Sequence, residues 1–391
     1  MDSLLEQFLP HLRCPITRGS LRSVAPAQLA QLNDRIARQE LRHTDASVVP
    51  EPLTEALRSD DGQYIYPIVD HQIVVLLESL AIVADSENVV PQPIDAQKKI
   101  VLDFYNEFGW KKDEDNLFKD TVTFEDRRDT VARYWSQCHL RLNRYLPNGQ
   151  YILDVASGAI PNDEYLTYSD NFAVRICMDF SLLAMQEAVQ RLNGQGVFIL
   201  GDMTNLPMVG QCLDAVISLH TVYHIPKAEQ TQAVAEAYRV LRPGGKAVIV
   251  YSWKDAPLMY GSMRAWRRLM RVMRRLRNKR SGAAPVGAAA NGAAANGAVA
   301  DNPAHPELFI AQQKYDWYAR ELRQPFRAQL KVYSALSRSF SNTFLREKTF
   351  GKQVAGLIFR LEGWLPGFFG RFGQYPTFVL HKPTDHPEKG N

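Results

Sequence analysis

From Tyr151 onward the apolar residues fall in short runs separated by small and turn-forming residues. Tyr151-Ile152-Leu153-Asp154-Val155 gives way to Ala156-Ser157-Gly158-Ala159 and then to a helix-length spacer. A second run, Ala173-Val174-Arg175-Ile176-Cys177-Met178, ends on Asp179. Strand, small-residue loop, helix and a second strand closed by an acid make up a nucleotide-binding half of an α/β sheet. Further apolar runs predict strands at Leu213–Leu219, Ala247–Val250, Ala328–Tyr333 and Tyr375–Leu380, with a helix over 352–365. In Val240-Leu241-Arg242-Pro243-Gly244-Gly245 the proline stops a helix and the glycine pair supplies the reversal into a strand.

Upstream the pattern differs. Leu12-Arg13-Cys14-Pro15-Ile16 opens a first unit that closes with the strand-like Tyr64–Asp70 and Ile73–Leu77, with a helical segment from Pro26 to Leu32 between them. Prolines and turn residues make 81–100 a linker. Aromatic-rich helices follow at 101–110 and 129–135. After Trp253 the period changes again. Nine basic side chains and no acidic one lie between Arg264 and Arg280, with Trp266, Leu269, Met270, Met273 and Leu276 spaced by threes and fours, which predicts a cationic amphipathic helix. The Ala/Gly/Asn tract 281–302 reads as a disordered spacer, and a helix resumes around Asp316-Trp317-Tyr318.

Composition bounds this picture without redirecting it. With 391 residues, 46% of them apolar, the chain has enough material for one large core, a small second unit and an insertion. A net charge of +4 is too mild to argue for nucleic acid, although the positive charge is unevenly placed. Cys14, Cys138, Cys177 and Cys212 form no CxxC pair, which argues against a disulfide framework and fits a reducing cytoplasm. No apolar run approaches the roughly 18 residues of a membrane span, so any membrane contact is expected to be peripheral, through 264–280.

Two places carry candidate chemistry. Small residues at Ala156, Ser157 and Gly158 allow close backbone approach to a ligand, and Asp179 stands where such sheets place the acceptor for a ribose diol. Ala156 and Ile160, however, occupy positions where a dinucleotide fingerprint has glycine. The second place is Ser218-Leu219-His220-Thr221-Val222-Tyr223-His224, leaving the fourth strand at the carboxyl edge. There His224 is the candidate general base, with Tyr223 beside it.

Taken in order, the loop after the first strand, Asp179, Gly201-Asp202-Met203, Leu206-Pro207-Met208, Leu213–His220 and the Leu-Arg-Pro-Gly-Gly-Lys turn closely resemble the class I S-adenosylmethionine-dependent methyltransferases. The resemblance covers about residues 150–252. It implies an α/β fold: a seven-stranded Rossmann-like sheet, mostly parallel with the last strand antiparallel, preceded by a small α+β N-terminal domain. It implies S-adenosyl-L-methionine as cofactor, with Asp154, Ala156, Ser157 and Gly158 cradling the methionine end. Asp179 and Phe180 would hold the ribose, Asp202 and Met203 the adenine, and His220 would stand near the methionine moiety. Residues 101–149 would be lid helices, with Tyr105 reaching the cofactor, 253–325 a cap insertion, and 326–383 a strand-helix-strand unit closing the sheet.

Residues 1–80 resemble a zinc-ribbon-like methyltransferase-activator domain. Only Cys14 matches a ligand of that family, so a degenerate, metal-free version is expected, because a structural zinc needs about four ligands. No NPPY-like sequence follows the fourth strand, which points to a hydroxyl acceptor on a small molecule, glycan or lipid. Two other readings stay open: an RNA methyltransferase, with the arginine-rich helix following phosphates, and a non-catalytic, membrane-docked scaffold. Oligomeric state is not legible.

Overall fold

The computed structural model describes residues 3–85, 91, 93–281, 306–347 and 350–384, and the side chains of these except 274–281. The spacer expected at 281–302 lies outside the described residues apart from Ser281, which ends a helix.

The described strands are β1 (Leu21–Ser23), β2 (Arg42–His43), β3 (Glu55–Ser59), β4 (Tyr64–Val69), β5 (Ile73–Val75), β6 (Ile82–Val83), β7 (Gly149–Val155), β8 (Phe172–Asp179), β9 (Val197–Leu200), β10 (Leu213–Leu219), β11 (Leu241–Val250), β12 (Gln329–Ser334) and β13 (Tyr375–His381). From β7 on, their order is β9-β8-β7-β10-β11-β13-β12. β9, β8, β7, β10 and β11 pair in parallel, and β13 runs antiparallel to both β11 and β12.

This is the Rossmann-like methyltransferase topology, but its sheet does not stop at β9. β5 pairs in parallel with β9, Ile73 opposite Phe198 and Val75 opposite Leu200. β4, β3 and β1 then continue outward antiparallel, with β6 and β2 attached at the side of β4. The expected seven-stranded sheet with a discrete N-terminal domain is therefore corrected to one thirteen-stranded sheet. The physical reason is the edge of β9, whose unpaired backbone groups need a partner; β5 covers it, and Ile73, Val74 and Val75 are all buried. Leu5, Phe8 and Leu12 also share one core with Leu153, Ile176 and Val216. Within the stretch read as linker, β6 joins the sheet and a helix begins at Ala96.

Alternation along the central strands feeds two cores. Leu153 and Val155 face the core covered by the helix Gln230–Arg239. Ile152 faces the other, with Val131, Tyr134 and Cys138 of the helix Asp129–Leu140 and Ala355 of the helix Gly351–Trp364. Register decides where function can sit. Val155 lies opposite Met178, Asp179 opposite Leu200, and Leu219 opposite Val250. The loop 156–160, Asp179, Asp202 and His220 therefore emerge together at the carboxyl edge, where ligands of open α/β sheets bind.

Candidate cofactor and acceptor site

The loop after β7 keeps the shape of a glycine-rich turn with little glycine. Ala156, Gly158 and Ile160 have φ of 55°, 57° and 53°. The left-handed region costs an L-residue roughly 1–2 kcal/mol, and is least welcome for a β-branched one. That Ala156 and Ile160 both adopt it means tertiary packing holds the turn: Ile160 is buried in the second core, and the Ser157 N–H donates to the Met178 carbonyl at 3.2 Å.

Asp179 sits against this turn. Its carboxylate accepts from the N–H of Gly158 and of Ser181, each at 2.9 Å. Burial nevertheless pushes its pKa up to about 6, against the lowering effect of those backbone donors. Each oxygen keeps a lone pair, so a ribose diol can still be received.

Asp202 caps the turn Met203–Asn205 through Oδ1, while Oδ2 takes the Lys98 ammonium at 2.8 Å. Lys98 also reaches Glu229 at 2.6 Å. Three expected cofactor residues are committed elsewhere. Asp154 forms a buried ion pair with Arg175, which also donates to the Tyr165 carbonyl at 2.9 Å. Met203 packs into the first core, its sulfur 3.9 Å from the Ser218 hydroxyl, and Phe180 packs against the second core. β7 and the turn after β9 aim the Asp154 and Met203 side chains inward, so the contacts both make here are structural.

Over the loop lie the helix Ala96–Phe104 and the π-turn Tyr105–Gly109. Tyr105 stacks on Trp110 with ring centroids 5.2 Å apart. The Trp110 indole covers the Cα face of Gly158, where an added Cβ would come within 2.4 Å of the ring. Trp110 Nε1 is buried without a hydrogen-bond partner. An orphaned donor beside the loop that should cradle an amino-acid carboxylate fits S-adenosylmethionine, as does the open lone-pair capacity of Asp179.

Beyond the loop aromatic side chains pack together at the sheet edge. The His220 ring lies 5.0 Å from Tyr333 and 5.1 Å from Tyr375, while His139 stacks on Tyr333 at 6.0 Å. Burial drives His220 down to about 3 and His224 to about 4. The His224 Nδ1 is held by the Phe309 carbonyl at 2.8 Å, and its ring lies 4.5 Å from Tyr223. Both imidazoles are neutral near pH 7, the form a general base needs, although so low a pKa makes each a weak base; with Nδ1 donating to the Phe309 carbonyl, Nε2 is the acceptor of the His224 ring. Tyr223 keeps its proton, its pKa raised by burial.

A side chain not singled out from sequence sits on a helix packed against the π-turn Tyr105–Gly109. Asp120, on the helix Lys119–Phe124, is pushed up to about 7 by burial and by the charge of Glu125. Its own charge is felt by Tyr105 and Tyr223. Nothing in Lys-Asp-Thr-Val-Thr-Phe marks it out; only the fold brings it near Tyr105 and Tyr223.

Strand order, carboxyl-edge loop and the acid closing β8 define a class I S-adenosylmethionine-dependent methyltransferase domain. Residues 153–249 match the family described as a methyltransferase domain. The chain is similar to the demethylmenaquinone methyltransferase of Renibacterium salmoninarum, 37% identical over 101 residues, covering 26% of this chain and 40% of that protein. It is similar also to the demethylmenaquinone methyltransferase of Paenarthrobacter aurescens, 34% identical over 111 residues, 28% of this chain and 42% of that protein. The chain thus spans about two fifths of these curated relatives. Among solved structures, geranyl diphosphate C-methyltransferase from Streptomyces coelicolor is 13% identical with a TM-score of 0.43, covering 75% of this chain and 100% of that one.

Proposed function

We propose that the chain is an S-adenosylmethionine-dependent methyltransferase acting on a hydroxyl of a small molecule, glycan or lipid-like acceptor. The observation that carries this is Asp179, braced by the Gly158 and Ser181 N–H groups beside a left-handed loop at the carboxyl edge. Asp179 receives the ribose, the loop 156–158 and Trp110 Nε1 receive the methionine end, and Asp202 receives the adenine amino group once Lys98 yields. The bound cofactor supplies an electrophilic methyl group on a sulfonium. What the chain adds is position, which can account for much of the rate. The acceptor hydroxyl must also lose its proton, and Asp120 is the carboxylate whose raised pKa suits that task.

The N-terminal unit is a degenerate zinc-ribbon-like module in this reading. Cys14 Sγ accepts from the Thr17 N–H at 3.3 Å, as a metal-binding knuckle would, but the Tyr66 hydroxyl stands 3.0 Å from the sulfur. The module's place is to cover β9, not to hold an ion.

Calorimetry with S-adenosylhomocysteine tests the proposal. Micromolar binding is expected, and Asp179→Asn should weaken it at least tenfold while leaving the thermal transition in place. Absence of binding at millimolar ligand would remove the assignment.

A further inference from the structure

We propose that the helices Pro257–Ser281, Gly351–Trp364 and Pro366–Phe372 form one docking face for an anionic lipid bilayer. The sequence points only to the first of them. The structure adds a second apolar stripe, Val354, Leu357, Leu361, Trp364, Leu365 and Phe368, spaced by threes and fours and directed outward. Trp364 is 76% exposed, Leu365 56% and Leu357 55%. The opposite side of the same helix is spent on the core through Ala355 and Glu362. Apolar exposure on this scale marks an interaction surface.

The two stripes adjoin. A cavity of about 550 Å³ lies between them, lined by Trp266 and Leu269 on one side and Phe340, Phe344 and Val354 on the other. Trp266 packs edge-on against Phe344 with centroids 5.3 Å apart.

Charge selects the occupant. Arg264, Arg267, Arg268, Arg271, Lys352, Arg360 and Arg371 are exposed on these helices. Their one acid, Glu362, is fully buried on Arg141. A second copy of the chain would set cation against cation across such an interface. Anionic headgroups match the cations, at about 1 kcal/mol per basic residue near the surface, while the Trp and Leu side chains enter the acyl boundary. The basic helix is anchored to the fold at its start, where Met259 is buried in the same core as Tyr333. This inference stands whether or not the methyl-transfer reading does, because vesicle binding needs no cofactor.

The test is co-sedimentation of the full chain with vesicles of phosphatidylcholine alone and of phosphatidylcholine with phosphatidylglycerol. Binding to the anionic vesicles only, falling with added salt, is expected. Leu357→Ser with Trp364→Ser, and separately Arg267→Glu with Arg271→Glu, should each lower it at least tenfold with thermal transitions unchanged. No binding to anionic vesicles, binding undiminished in both variants, or a concentration-dependent dimer abolished by these same changes without vesicle binding would overturn the proposal.

Discussion

At the level of single residues, burial moves acid and base strengths in opposite directions. His224 reads from sequence as the base because imidazole ordinarily titrates near pH 6.5, yet desolvation leaves it at about 4 with one nitrogen tied to Phe309. The same burial raises Asp120 to about 7. A base must be ionised, so turnover with a hydroxyl acceptor should rise with pH through about 7 and level off above it. Asp120→Asn should remove that rise and lower kcat by about 10²-fold or more, within the range for general bases. The sign for stability is opposite. A carboxyl whose folded pKa exceeds its unfolded value destabilises the fold when ionised, and the penalty fades as pH falls from above 7 toward 3.8. Asp120→Asn should therefore melt higher than the parent chain at pH 8, with the gap closing in acid.

Among the elements, the segment 96–112 is clamped to the loop edge by side chains from distant parts of the chain. Lys98 grips Asp202 and Glu229, Asn106 meets Ser181, Trp110 covers Gly158, and Lys112 reaches Glu187 at 2.6 Å. Helices at 101–110 and 129–135 are legible from their apolar spacing, and the structure has helix over Ala96–Phe104 and Asp129–Leu140. The clamps are not legible, because each joins residues far apart in the chain. Lys98→Met removes a partly buried ion pair worth about 1 kcal/mol, so S-adenosylhomocysteine should bind about fivefold tighter. Calorimetry and limited proteolysis of 96–118 would register the change; weaker binding would mean that Lys98 orders Asp202 for the ligand instead of blocking it.

Across the whole molecule, two connections decide stability. One is the β5–β9 pairing that makes the N-terminal unit part of the sheet. The other is Glu362, which accepts from Arg141 at 2.8 Å, Tyr134 at 2.6 Å and the Ala335 N–H at 2.8 Å, joining two helices to the end of β12. Glu362→Gln leaves the Arg141 guanidinium buried without its counter-charge and should cost about 3–5 kcal/mol in urea unfolding. Replacing both, with Arg141→Met and Glu362→Leu, should recover much of that loss, since neither charge is then stranded.

The sequence by itself determined β4, β5, β7, β8 and β10 to β13 and the carboxyl-edge loop that ends near Asp179, because these rest on local apolar runs and on small residues at a turn; the short β1, β2, β3, β6 and β9 do not stand out in this way. It also marked the basic helix, since charge and spacing are local properties. Tertiary structure alone decided that Asp154 is paired with Arg175, that the sheet runs on into the N-terminal strands, and that burial raises the Asp120 carboxyl while it lowers the His224 imidazole. Each of these depends on which distant groups share a buried space, and burial is what sets the strength of an ion pair, the need of an open edge and the pKa of a side chain.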